Sequence, residues 1–240
     1  MDPKRETLPA FQNERDEFLK DQMPVNYEQK CPLILVLDVS SSMAGKPIEE
    51  LNRGIKIFQT RIQNDPVASA RLETAILTFG NEIKLIRNFS LFDGNSIETL
   101  TANGLTPMAE ALKSAIKELN SCKALYKAQG QQYFRPYILL MTDGAPTSSQ
   151  EQIEEVTKEI QAGVDNNHFN FWAFGVEGAD MDLLRKISHP GFAPQKLKGI
   201  NFGEFFEWLS HSISKITASR SGEQVDITPN KEANPFQFKV

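Results

Sequence analysis

Asp38, Ser40 and Ser42 stand at alternate positions, a carboxylate followed by two hydroxyls, directly after the aliphatic run Leu33-Ile34-Leu35-Val36-Leu37. Oxygen donors of this kind suit a hard divalent cation, because Mg²⁺ takes oxygen ligands, keeps several of its waters and is usually held by few carboxylates. Two further stretches add to the set. Thr106 lies in Gly104-Leu105-Thr106-Pro107, and Asp143 follows the aliphatic run Tyr137 to Met141 in Thr142-Asp143-Gly144. Singly, each has a plainer reading: Asp38, Ser40 and Ser42 as turn formers, Thr106 as a helix N-cap with Pro107 at the first helical position. Together they make a candidate cation site. Ser40 and Ser42, two apart on an extended loop, can face one side, while Thr106 can offer a third hydroxyl or hold a water.

Such a site requires elements that bring the three stretches to one place. The run at 33–37 reads as a strand buried on both faces, as in a parallel sheet, and ligands of open α/β sheets bind outside the carboxyl ends of the strands. Apolar residues Ile48, Leu51, Ile55, Ile57, Phe58 and Ile62 predict a helix from about 47 to 63, with Asp65-Pro66 as its stop. Residues 72–79 read as a second strand, Gly80-Asn81 as a tight turn and 83–86 as a third strand hairpinned to the second. Residues 87–105, with Asp93-Gly94-Asn95 and Asn103-Gly104, are loop-like, and a helix with Met108, Ala111, Leu112, Ala115, Ile116 and Leu119 on one face follows. Further strands are expected at 137–141 and 168–174, and helices at 150–163, near 180–187 and from about 202 to 217. This alternation predicts a three-layer α/β domain: a mostly parallel central sheet with an antiparallel edge strand, and helices on both faces.

The ends read differently. Residues 1–28 are charged and poor in apolar side chains apart from Phe11, Phe18 and Leu19, and 219–240, with Thr228-Pro229-Asn230, read as an extended tail. The domain itself is expected at 29–218. Of 240 residues, 26 are Lys or Arg and 31 are Asp or Glu, a mildly acidic balance that argues against a nucleic-acid or anionic-membrane binder. Neither Cys31 nor Cys122 sits in a CxxC pair, and no apolar stretch has signal-peptide or transmembrane length, so a cytoplasmic location is expected.

The motifs match a family. Asp38-Val39-Ser40-Ser41-Ser42, then Thr106 and then Asp143 resemble the DxSxS, Thr and Asp elements of the metal-ion-dependent adhesion site of von Willebrand factor A (VWA) domains. The resemblance implies a Rossmann-like VWA fold and a Mg²⁺ ion, with Mn²⁺ or Ca²⁺ as alternatives. It also implies that Asp38 and Asp143 act through water and by hydrogen-bonding the hydroxyls, so that the ion accepts an Asp or Glu carboxylate from another protein. The wording SSSM, GKPIEELNRGI and GLTPMAEAL is similar to bacterial stand-alone proteins of the TerY-like, tellurium-resistance-associated type. Their genes accompany a protein kinase and a phosphatase, which implies an adaptor in stress or phosphosignalling. Related domains partner AAA+ ATPases, a second implied role.

Catalysis finds less support. A phosphoryl-transfer site of the haloacid-dehalogenase kind needs a second acid where this chain has Ser40, and there is no GxxxxGK[ST], GxGxxG or GxSxG signal. His168, His189 and His211 are scattered, and Asp93, Asp180 and Asp182 read as caps or solvated charges. The expectation is a binding protein with its site on a surface loop cluster.

Overall fold

The computed structural model describes residues 27–92, 97–176, 178–197, 201–220, 223 and 225. Phe11, Phe18 and Leu19, the Asp93-Gly94-Asn95 turn and Thr228-Pro229-Asn230 lie outside the described residues. Six strands form one sheet in the order β3-β2-β1-β4-β5-β6: β1 (Cys31–Asp38), β2 (Leu72–Phe79), β3 (Ile83–Ser90), β4 (Tyr137–Thr142), β5 (Asn170–Gly175) and β6 (Gln195–Lys196). All neighbours pair in parallel except β2 and β3. The helices are α1 (Lys46–Gln63), α2 (Pro66–Arg71), α3 (Met108–Gln129), α4 (Gln150–Asp165), α5 (Met181–Ile187) and α6 (Phe202–Ala218). The expected three-layer α/β fold is observed.

β1 shows how the layers are built. Successive strand side chains point to opposite faces, so Leu33, Leu35 and Leu37 join a core with Leu51, Phe58, Phe205 and Phe206 of α1 and α6. Ile34 and Val36 join the other core, with Leu112 and Ile116 of α3 and Val156 of α4. Every residue of β1 is buried, which is what a central strand covered on both faces demands. The first core is rich in aromatic contacts: Phe58 meets Phe206 at 5.8 Å and Phe174 meets Phe205 at 4.7 Å between ring centroids. Gly54 lets α1 and α6 approach closely, since a Cβ there would lie 2.4 Å from the Phe206 ring.

Several boundaries differ from expectation, each for a local reason. Asp65-Pro66 ends α1 but also opens α2, because Asp65 Oδ1 accepts the N–H groups of Val67 and Ala68, both at 2.9 Å, and Pro66 sits at the first helical position. β3 continues to Ser90, four residues past the expected end, with register irregularities against β2. α3 runs on past Cys122 to Gln129 and ends on Gly130 at φ 67°. β5 begins at Asn170, not His168, and β6 was not anticipated. Helix α4 carries a reciprocal capping box between Ser149 and Gln152.

The parallel strands start at one pole and end at the other. At the starting pole Arg71 donates to the Thr217 carbonyl at 2.5 Å and to Glu28 Oε2 at 2.9 and 2.7 Å, joining the entry of β1 to the end of α6. Cys31 and Cys122 are free and buried. Among the described residues no helix is long and apolar enough to cross a membrane.

Candidate metal centre

At the other pole, the carboxyl ends of β1 and β4 deliver Asp38 and Asp143, and these neighbouring parallel strands bring the two acids together. Asp38 is the last residue of β1 and fully buried. Its Oδ1 accepts the Ser40 N–H at 2.9 Å, which turns the chain away from the sheet into a short 3₁₀ turn at Ser41–Met43. Its Oδ2 accepts the Thr142 hydroxyl at 2.5 Å. Ser42 donates to Asp143 Oδ1 at 2.7 Å, and the Ser40 and Ser42 hydroxyl oxygens lie 3.0 Å apart. Because the single Ser42 proton goes to Asp143, the Ser40 proton must serve the contact between the two serines. The Asp38 carboxylate also lies within reach of the Ser40 hydroxyl. Ser42 is therefore oriented by a carboxylate directly, and the Ser40 hydroxyl lies between the Ser42 oxygen and the Asp38 carboxylate.

Thr106 completes the set. A Cβ built on Gly144 would lie 3.6 Å from both the Ser42 and the Thr106 hydroxyl oxygens, so the two converge on one point beside Gly144. The capping explanation for Thr106 does not hold: α3 starts at Met108, Pro107 occupies the N-cap position, and no side chain caps the helix. Thr106 is instead held by its backbone, its N–H donating to Thr147 Oγ1 at 3.2 Å and its carbonyl accepting the Thr147 N–H at 2.9 Å. Its hydroxyl bonds to none of the described residues and is left for a ligand. All five candidate donors, Asp38, Ser40, Ser42, Thr106 and Asp143, are thus brought to one place.

The loops are cross-tied by residues whose roles the motif did not reveal. Ser41 donates its N–H to the Gly104 carbonyl and accepts the Gly104 N–H on its hydroxyl, both at 3.0 Å. Asn103 N–H donates to the Val39 carbonyl at 2.7 Å. Gly104 adopts φ 85°, and a Cβ there would strike Asn81 at 2.3 Å, so a glycine is required where the two loops touch. Ser148 accepts the Ala109 N–H at 3.0 Å and donates to Glu110, tying the Asp143 loop to the start of α3. The expected surface loop cluster is therefore only partly that: Ser42 is exposed, but Asp38, Ser40, Thr106 and Asp143 are buried.

The electrostatics ask for a cation. Burial pushes the Asp38 carboxyl above the ordinary aspartate range, against hydrogen bonds from Ser40 and Thr142, and neighbouring Asp143 adds to the rise. Asp143 is raised too, chiefly by burial, with the Ser42 hydrogen bond opposing. Among the described residues no basic side chain pairs with either. Two adjacent buried carboxylates without a cation are costly, and a divalent ion beside neutral hydroxyls answers that deficit, so the residues present fit the expected metal. Among the described residues no cluster of three or more His, Cys, Asp or Glu side chains could hold a metal; hydroxyls supply the other donors here. His168, His189 and His211 lie elsewhere: His168 and His211 are exposed, and His189 contacts Asp165 at 3.0 Å. Asp180 caps α5, and Asp182 pairs with Arg185 at 2.5 Å.

Residues 33–205 match the von Willebrand factor type A domain. The chain belongs to this family. VWA domains commonly act in divalent-metal-dependent protein–protein interaction. Inter-alpha-trypsin inhibitor heavy chain H2 of Sus scrofa is 24% identical over 160 residues, covering 65% of this chain but 17% of that protein. The VWA region here thus spans about a sixth of the curated relatives it matches. Among solved structures, the open pilus adhesin SpaC of Lactobacillus rhamnosus GG superposes with a TM-score of 0.64 at 15% identity, over 80% of this chain and 31% of that one. Manganese-loaded TRAP protein of Plasmodium vivax superposes with a TM-score of 0.50 at 21% identity, over 74% and 71% of the two chains. At such identities the likeness is one of VWA fold.

Proposed function

We propose that this VWA domain binds a partner protein through a divalent cation, Mg²⁺ in the first instance, with Mn²⁺ or Ca²⁺ as alternatives. The observation that carries the reading is the convergence of the Ser42 and Thr106 hydroxyls beside Gly144, backed by two buried carboxylates that lack a basic partner. In this reading Ser40, Ser42 and Thr106 offer neutral oxygens. Asp143 accepts the Ser42 hydroxyl proton, Asp38 holds the Ser40 backbone, and both supply negative charge from behind. When bound, the ion supplies an electropositive coordination position that accepts an Asp or Glu carboxylate from the partner. No residue here is assigned a catalytic role, and the position where phosphoryl transfer would need a second acid is Ser40.

The wider role we propose is that of a cytoplasmic adaptor in a bacterial stress, tellurite-resistance or phosphosignalling system, with a kinase or phosphatase as partner. A subunit working with an AAA+ ATPase in remodelling or metal insertion is the second reading. The sequence likeness around GKPIEELNRGI and GLTPMAEAL favours the first. A pull-down with tagged protein, with and without EDTA and with Ser42→Ala in parallel, tests both. A kinase or phosphatase lost in EDTA and in the variant supports the adaptor, and an ATPase lost in both supports the second reading. A partner retained in both treatments removes the metal-bridged mechanism.

A further inference from the structure

Four large apolar side chains are exposed among the described residues: Tyr27, Val67, Leu105 and Leu125. Only Leu105 stands on a loop that carries a candidate metal donor. It is 67% exposed and immediately precedes Thr106. Isolated exposed leucines need no explanation in general, but the mounting of this one is unusual. The residue before it is clamped to Ser41 through both N–H and carbonyl, and the residue after it is clamped to Thr147 in the same two-sided way. Leu105 itself makes no backbone hydrogen bond among the described residues. It is an apolar side chain held out at a fixed place, so little backbone ordering is lost when something packs on it.

Its surroundings specify what that something is. Beyond Asp38 and Asp143 themselves, the stretches 39–47, 103–107 and 144–149 contain no acidic residue, and they carry one base, Lys46. This holds in a chain with a net charge of −5. Ala44 and Ala145 are exposed beside the donors, and Pro146 is half-buried. Leu105 is thus the one large apolar side chain exposed on these three stretches, while the nearest acids in the flanking segments, Glu82 and Asp180, lie on the turn after β2 and at the start of α5.

Resting on the metal-bridged reading above, we infer that Leu105 determines which acids the site accepts: a partner's Asp or Glu that has a large aliphatic or aromatic side chain within two residues, packing on Leu105 while the carboxylate engages the metal. A solvated acid on a polar surface satisfies only half of the site.

Random nonapeptides displayed on phage, selected on the full chain in millimolar Mg²⁺ and eluted with EDTA, provide the probe. Selected peptides are expected to share an acid with Leu, Ile, Met or Phe one or two positions away. In a double-mutant cycle with a synthetic peptide from the selection, Leu105→Ser in the protein and apolar→Ser in the peptide should each weaken binding about tenfold. The two together should weaken it little more than either alone. Mg²⁺ binding by Leu105→Ser, measured by calorimetry, should equal that of the wild type. Peptides that share an acid but no apolar neighbour, fully additive losses in the cycle, or lost Mg²⁺ binding in Leu105→Ser overturn the role of Leu105 and leave the metal-bridged reading standing. Binders without an acid, binders that persist in EDTA and on Ser42→Ala, or no magnesium-dependent binders at all overturn both.

Discussion

Gly144 offers the finest test at the level of single residues. Its missing Cβ would make ordinary van der Waals contact, at 3.6 Å, with both the Ser42 and Thr106 hydroxyls. Gly144→Ala should therefore fold with an unchanged melting temperature yet lose Mg²⁺ affinity, which titration calorimetry on the same sample would show; unaltered affinity would place the ion elsewhere. Asp38 and Ser42 separate structure from binding in another way. Ser42 is exposed but donates to the buried Asp143 carboxylate, so Ser42→Ala should cost about 1 kcal/mol in denaturant unfolding while abolishing metal binding. Asp38→Ala strands the buried Ser40 N–H and Thr142 hydroxyl and should cost about 2–6 kcal/mol, at about 1–3 for each buried group left unsatisfied. Equal stability of the two variants would show that Asp38 carries no structural load. The five candidate donors, which the structure brings to one pole, were legible in the sequence through residue type, spacing and their resemblance to the VWA motif. Thr142 and Thr147 were not, since their work is done across the fold: Thr142 bonds Asp38 from 104 positions away, and nothing local announces it.

Elements were legible in proportion to their length and periodicity. The long helices and central strands declared themselves through apolar spacing, while β6, at two residues, has no period to read. α2 was hidden because Asp65-Pro66 is equally good punctuation for an ending and for a beginning. Asp65 provides a prediction at this scale. Burial pushes its carboxyl up, but hydrogen bonds from Ser214, Ala68 and Val67 outweigh that and hold it below the ordinary value. A depressed folded pKa stabilises fully above the unfolded value of about 3.9 and is lost as pH falls through the folded one. Asp65→Ala should lose about 1 kcal/mol near neutrality, and the gap between it and the wild type should close as unfolding is measured at progressively lower pH below about 4. A gap independent of pH would mean that the carboxylate charge contributes nothing to the cap.

For the molecule as a whole, the two poles of the sheet do different work. A cation that binds only the folded chain stabilises it by mass action, about 2.7 kcal/mol at a hundred times its dissociation constant. Each kcal/mol is worth about 2–4 °C for a domain of this size. Scanning calorimetry should find the melting temperature rising with the logarithm of Mg²⁺ concentration for the wild type and flat for Ser42→Ala; a matching rise in both would indicate nonspecific ion effects. The fold class was open to sequence reading because alternating strands and helices leave few packings, whereas the pairing order of the sheet and the contacts of its poles emerge only in three dimensions. Arg71, at the pole remote from the site, joins Glu28 to the carbonyl of Thr217. In mechanical terms this makes the segment before β1 and the end of α6 the jaws of a zipper. Tension applied across Glu28 and Thr217 should therefore load the Arg71 contacts and the end of α6 before it reaches the loops at the opposite ends of the strands.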